Sequence, residues 1–229
     1  MSRTSLFRRV AGSLALSAAA AVLTPTVARA DLTFTLGGAD FSGGTDNIGG
    51  TITVLIHDVS AGVVQLMITN NLADAGGFLG DLYLNTTAAP LTGAVGSCIS
   101  CAAINNVTPT FSFGSNAFQA AGDGLYDILA AFSNANADRL TPGESITLQI
   151  NSTSGAAFNA ASFNTLSAPG PGGGAGPFLV AAHIQGLNNQ GSDWITTTTA
   201  TPEPGSIILM ATGLIGLAVR RRQMKKNAA

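Results

Sequence analysis

From Leu32 onward, apolar residues recur at every second position in short runs. "LTFTL" (32–36) sets Leu32, Phe34 and Leu36 on one face and Thr33 and Thr35 on the other, the period-two pattern of a half-buried strand. "TITVLIHDV" (51–59) and "VVQLMIT" (63–69) flank "SAG", which predicts a hairpin with Gly62 in the turn. "FLGDLYLN" (78–85), "PTFSF" (109–113), "GLYDILAAF" (124–132), "ESITLQI" (144–150) and "FLVAAHIQ" (178–185) follow, with Gly, Asn, Asp or Pro between them. Eight short strands punctuated by turns predict an all-β fold, a single jelly-roll-like β-sandwich over residues 31–191.

Some stretches do not declare themselves. "ADFSGGTDNIGG" (39–50) breaks the first strand pattern, and "YDILAAF" and "AFNAASFNTL" (157–166) suit a helical turn as well as a strand. "SAPGPGGGAGP" (167–177) is glycine-rich, but Pro177 and another strand follow it. A dinucleotide fingerprint needs a helix start there, so the stretch reads as a mobile loop. "SDWITTTTATPEP" (192–204) is Thr-rich and Pro-punctuated, and residues 192–201 read as a spacer.

Two apolar runs near the ends have a different character. Arg3, Arg8 and Arg9 precede Val10–Leu23, a run of small and apolar residues, and Ala28-Arg29-Ala30 stands before Asp31. Basic leader, apolar stretch and small-x-small site in that order describe a secretory signal peptide over 1–30. Cleavage is expected after Ala30, which calls for the export translocon and a signal peptidase. Gly205–Val219 is uncharged and is followed by Arg220, Arg221, Arg222, Lys225 and Lys226. As a helix it would measure about 22 Å against a roughly 30 Å hydrocarbon core. Snorkelling of the arginines closes that gap, and the positive-inside rule keeps them cytoplasmic. Both ends thus predict a body outside the inner membrane and a tail within it.

The charges sharpen this picture. Residues 31–201 hold eleven acidic residues and one basic residue, Arg139, a net of −10. Nucleic-acid binding, which needs a Lys/Arg footprint, is excluded. Low charge with much Thr, Ser, Asn and Gly suits an exported β domain.

Pro202-Glu203-Pro204, a short apolar helix and Arg220–Arg222, in that order, resemble the PEP-CTERM sorting signal of Gram-negative bacteria. The resemblance implies handling by an exosortase, a membrane-embedded, cysteine transpeptidase-like enzyme, in species that make extracellular polysaccharide. The sorting signal would then occupy 202–229. Pro202, Glu203 and Pro204 would be the recognition site, 205–219 the membrane stop and Arg220, Arg221 and Arg222 its anchor. "GDLYLN", "AGDGLYDILAAF", "LTPGESITLQI" and "AAHIQGL…GSDWI" resemble, more loosely, the exported domain that recurs before such tails. No chemistry attaches to that domain.

Chemistry-bearing residues in the body are few. For the C-x-x-C of Cys98 and Cys101, an oxidising compartment makes a local disulfide the default. Free or intermolecular thiols and a redox or metal role are the alternatives. His57 and His183 are the only histidines. Asp58, next to His57, should point to the opposite face of its strand, which argues against a hydrolytic triad. Asp123 and Asp127 share a segment but lack a demonstrable setting for glycosidase chemistry. With Asp138 and Glu144 they are the candidate calcium ligands. Trp194, Tyr83 and Tyr126 are the whole supply of Trp and Tyr, a thin one for sugar platforms. The expectation is therefore a non-catalytic surface or matrix protein with no cofactor, associated with exopolysaccharide or biofilm. A calcium-assisted carbohydrate-binding module is the alternative, and a secreted hydrolase a distant third.

Overall fold

The computed structural model describes residues 31–37, 40–42, 48–101, 107–121, 124–152, 157–171, 176–187, 191–197 and 201–202. Residues 1–30 and 203–229 lie outside this set, and with them the signal peptide, Ala28, Ala30, Glu203, Pro204, the 205–219 segment and the basic anchor. Among the described residues no helix is long and apolar enough to cross a membrane.

The strongest alternating runs form the centre of the first sheet. β1 (Leu32–Leu36), β3 (Gly50–Ser60), β4 (Val63–Leu72) and β9 (Ser145–Ser152) pair antiparallel, with β6 (Ala94–Cys98) on one edge and β13 (Thr201–Pro202) on the other. Every second residue points inward. Phe34, Ile52, Val54, Ile56, Val64, Leu66, Ile68, Leu148 and Ile150 are fully buried, each worth roughly 1.5–3 kcal/mol of apolar burial. The β3–β4 hairpin turns at Ala61–Gly62, where Gly62 has φ 74°, a conformation glycine adopts without a Cβ penalty.

The second sheet runs β10 (Ala168–Pro169), β8 (Gly124–Ala131), β5 (Phe78–Leu84), β11 (Val180–Gln185), β12 (Ser192–Thr197) and β2 (Asp40–Ser42), with β7 (Thr110–Ala120) on the other side of β8. Its inner residues, among them Leu79, Leu82, Leu84, Ile128, Val180, Ala182, Ile184 and Ile195, join those of the first sheet in one apolar cluster. The fold is thus all-β, two antiparallel sheets packed face to face.

Several expectations change. "YDILAAF" is strand, because β8 lies between β7 and β5 and its backbone groups are taken by both. The 157–166 stretch holds a 3-10 turn, Ala160–Phe163, whose N-cap Asn159 accepts from the Ser162 N–H. β6 and β2 fall where no strand is expected, in "AVGSC" and in the break after β1. Part of the glycine-rich excursion is also paired, Ala168 and Pro169 lying against Leu125 and Gly124. The clearest correction concerns 192–201. Ser192–Thr197 is an interior strand flanked by β11 and β2, with Ile195 and Thr196 buried. Thr196 Oγ1 donates to the Val180 carbonyl at 2.6 Å. Thr is β-branched, so a Thr run that reads as tether by composition suits a strand by conformation.

Candidate functional site

The outer face of the second sheet gathers most of the chemistry. A bulge between His183 and Ile184 makes Asp81 and Leu79 the partners of these two residues, with Gly80 the extra residue. That shift turns Phe78, Asp81 and Tyr83 outward while Leu79 and Leu82 stay in the core. Beside them on β11 and β12 stand Gln185, His183, Ser192 and Trp194, through the register pairs Phe78↔Gln185, Asp81↔His183 and His183↔Trp194. A Cβ on Gly80 would lie 2.8 Å from Gln185 Nε2, so a larger residue there would move the end of that side chain.

His183 Nδ1 lies 3.3 Å from Asp81 Oδ2 and 3.3 Å from Gln185 Nε2. Its ring stacks on Trp194 at 4.4 Å and 13°. Trp194 also meets Phe41 and Tyr83, and Tyr83 meets Tyr126. The Tyr83 phenol is pushed up to about 12, first by burial and then by the charge of Asp81. Next to this array is an open groove of about 730 Å³ lined by Gly76, Phe78, Arg139, His183, Gln185, Gly186, Gly191 and Ser192.

The other candidate residues are scattered and structurally engaged. His57 lies on β3 with Nδ1 2.7 Å from Asp31 Oδ1, in the opposite sheet from His183. Asp58 points the other way and accepts the Ala160 N–H at 2.6 Å, as alternation requires. Asp127 accepts the N–H of Asn116 on one oxygen (2.8 Å) and of Thr86 on the other (3.0 Å). Glu144 caps its turn by accepting the Thr141 N–H at 2.6 Å and hydroxyl at 2.8 Å. Asp138 sits in a 3-10 turn, and Asp123 lies outside the described residues. Among the described residues no three His, Cys, Asp or Glu side chains gather as a metal site. Cys98 and Cys101 are joined as a disulfide with Cα atoms 5.8 Å apart.

Comparison with known proteins bears on the other end of the chain. Residues 200–222 match the family described as the PEP-CTERM protein-sorting motif. The chain carries a PEP-CTERM sorting motif. No curated protein matches it. Two solved structures are similar in part. One is of biomass-sensing modules from Rsgi-like proteins of Clostridium thermocellum, described as resembling a family 3 carbohydrate-binding module of the cellulosome. It has 18% identity and a TM-score of 0.32, covering 69% of this chain and 95% of that one. The other is a family IIIA CBD from Clostridium cellulolyticum, with 16% identity and a TM-score of 0.28, covering 66% and 89%. Superposition this loose carries no argument about what this chain binds.

The PEP-CTERM motif begins inside the folded body. Thr201 and Pro202 form β13 and pair with Thr33 and Leu32 of β1. Asp31, beside the expected signal-cleavage point, is therefore a close neighbour of the first motif proline. Sequence reasoning located the motif but passed over Phe78 and Gln185. Arg139 was legible as the one base of the body, a signal used there only to exclude nucleic acid.

Proposed function

We propose that this chain is an exported, non-catalytic surface protein, passed to an exosortase through its PEP-CTERM motif and cut at or near Pro202-Glu203-Pro204. Pro202, Glu203 and Pro204 serve as the recognition site. Residues 205–219 act as a transient inner-membrane stop, and Arg220, Arg221 and Arg222 hold its cytoplasmic end. The observation that carries this reading is the match at residues 200–222. Pro on both sides of Glu203 disfavours helix there, which supports access by a processing enzyme.

The body supports a non-catalytic role. Its two histidines stand in different sheets, and Asp58, Asp127 and Glu144 accept backbone N–H groups. A calcium-assisted sugar module is the weaker reading, because both Asp127 oxygens are engaged and His183 covers one flat face of Trp194. The test is the intact mass, with both termini sequenced, of protein recovered from the cell surface and medium. The expected product starts at Asp31 and ends between Thr201 and Pro204. A product that keeps Arg220–Ala229 would make the tail a permanent anchor and remove the exosortase reading.

A further inference from the structure

Arg139 is the only basic residue between Asp31 and Thr201, amid eleven acids. Among the described residues the ion pairs within 4.0 Å are His57–Asp31 and His183–Asp81, and Arg139 is in neither. The side chain is nevertheless held. Leu140, its neighbour, is fully buried and bridges to Leu79, which delivers Arg139 to the outer face. Its guanidinium carbon lies 4.0 Å over the Phe78 ring, and Nε donates to the Asn134 carbonyl at 3.0 Å. These contacts fix the guanidinium plane at the groove, the pre-ordering that lets arginine grip a carboxylate with two parallel hydrogen bonds.

The rest of the groove is polar and shaped by backbone. A Cβ on Gly76 would lie 2.7 Å from the Gly186 carbonyl, and one on Gly186 2.6 Å from the Gly76 carbonyl. The Gly76 and Gly186 backbones therefore meet closely at this side of the groove, with no room for a side chain at either position. Gln185, His183 and Ser192 supply amide, imidazole and hydroxyl groups, while Phe78, the one large apolar residue among the described lining residues, lies beneath Arg139. Among the described residues the lining suits a ring of hydroxyls better than an apolar side chain. A volume of about 730 Å³ falls within the usual range for small-ligand sites. The −10 body repels both anions, a doubly charged phosphate more strongly than a singly charged carboxylate, so the local guanidinium has less to overcome with the carboxylate.

We propose that this groove binds an acidic sugar, a uronate residue of a glycan, with Arg139 holding the carboxylate and Gln185, His183 and Ser192 meeting the ring hydroxyls. The assignment goes beyond sorting and does not depend on how the tail is processed. The full-length chain is titrated with cellobiuronic acid and with cellobiose, which differ only in carboxylate against hydroxymethyl. Binding is read by calorimetry and by the fluorescence of Trp194, the single tryptophan, stacked on a groove residue. The expected result is about tenfold tighter binding of the acid, the scale of one charge-assisted contact. That preference should vanish in Arg139→Gln and return only in small part in Arg139→Lys, which keeps the charge but not the two-pronged fork. Ser192→Asp, at an exposed position with Arg139 intact, should also abolish it and keeps the test valid if Arg139→Gln misfolds. Equal binding of the two sugars, binding of neither at millimolar concentration, or equally tight binding of acetyl-Gly-Gly would overturn the proposal.

Discussion

Two glycines with nearly the same backbone angle separate conformational strain from crowding. Gly50 has φ +88° and Gly143 φ +87°, but a Cβ on Gly50 would stand 2.7 Å from the Leu72 Cα, while one on Gly143 meets nothing within 4 Å. Gly143→Ala should cost about 1 kcal/mol of left-handed strain. Gly50→Ala adds displacement of β4 and should exceed about 3 kcal/mol. Urea midpoints of the two variants check the difference. Tyr83 tests burial through pH. Its phenol ionises near 10 when unfolded and near 12 in the fold. Its contribution is thus complete below pH 10 and is lost as pH rises through 12. With Tyr83 8% exposed, the loss should be roughly 2 kcal/mol. Stability measured between pH 9 and 12 should fall in the parent and stay flatter in Tyr83→Phe.

Among the strands, the junction held by Asp127 makes the sharpest prediction. Its carboxylate ties β8 to the start of the Thr86 loop and to Asn116, the point where the β7–β8 register shifts and φ is 50°. Asp127→Ala should destabilise by about 2–3 kcal/mol by leaving two N–H groups without their acceptor. If the role is structural, the loss is the same in calcium and in chelator; a loss seen only in calcium would restore the metal reading. Strands with clean alternation, such as β1, β3, β4 and β9, were legible in the sequence because one face is core and the other solvent. β6 was not, since "AVGSC" has no large inward residue, and Gly96 is required where the Phe111 ring passes over it. β12 was hidden for a different reason: composition suggested a spacer, while its place between β11 and β2 depends on pairing across sequence. The outer-face array was legible only in pieces. Trp194, Tyr83 and His183 stood out as residue types, but neither the bulge that sets Phe78 and Gln185 beside them nor the Leu79–Leu140 bridge that places Arg139 leaves a pattern in the chain.

At the scale of the whole molecule, the two sheets assign separate duties. Away from Asp31 at its corner, the first sheet's outer face carries Thr35, Thr53 and Thr69 in cross-strand register, with Thr69 bonded to Ser145 at 3.1 Å. The second sheet's outer face carries the rings, the paired His183 and the groove. The short strand at the edge of the first sheet has a mechanical meaning. Among the described residues two pairs, Leu32↔Pro202 and Thr33↔Thr201, hold the outgoing chain on β1. Any pull applied beyond Pro202 would unzip those pairs first and pass the load to β12. That strand is gripped along six residues by β11 and also touches β2, so the second sheet would bear the tension. The first sheet would be left with an open β1 edge, and a tug on the tail would uncover the strand that begins at Leu32 while the groove keeps its shape.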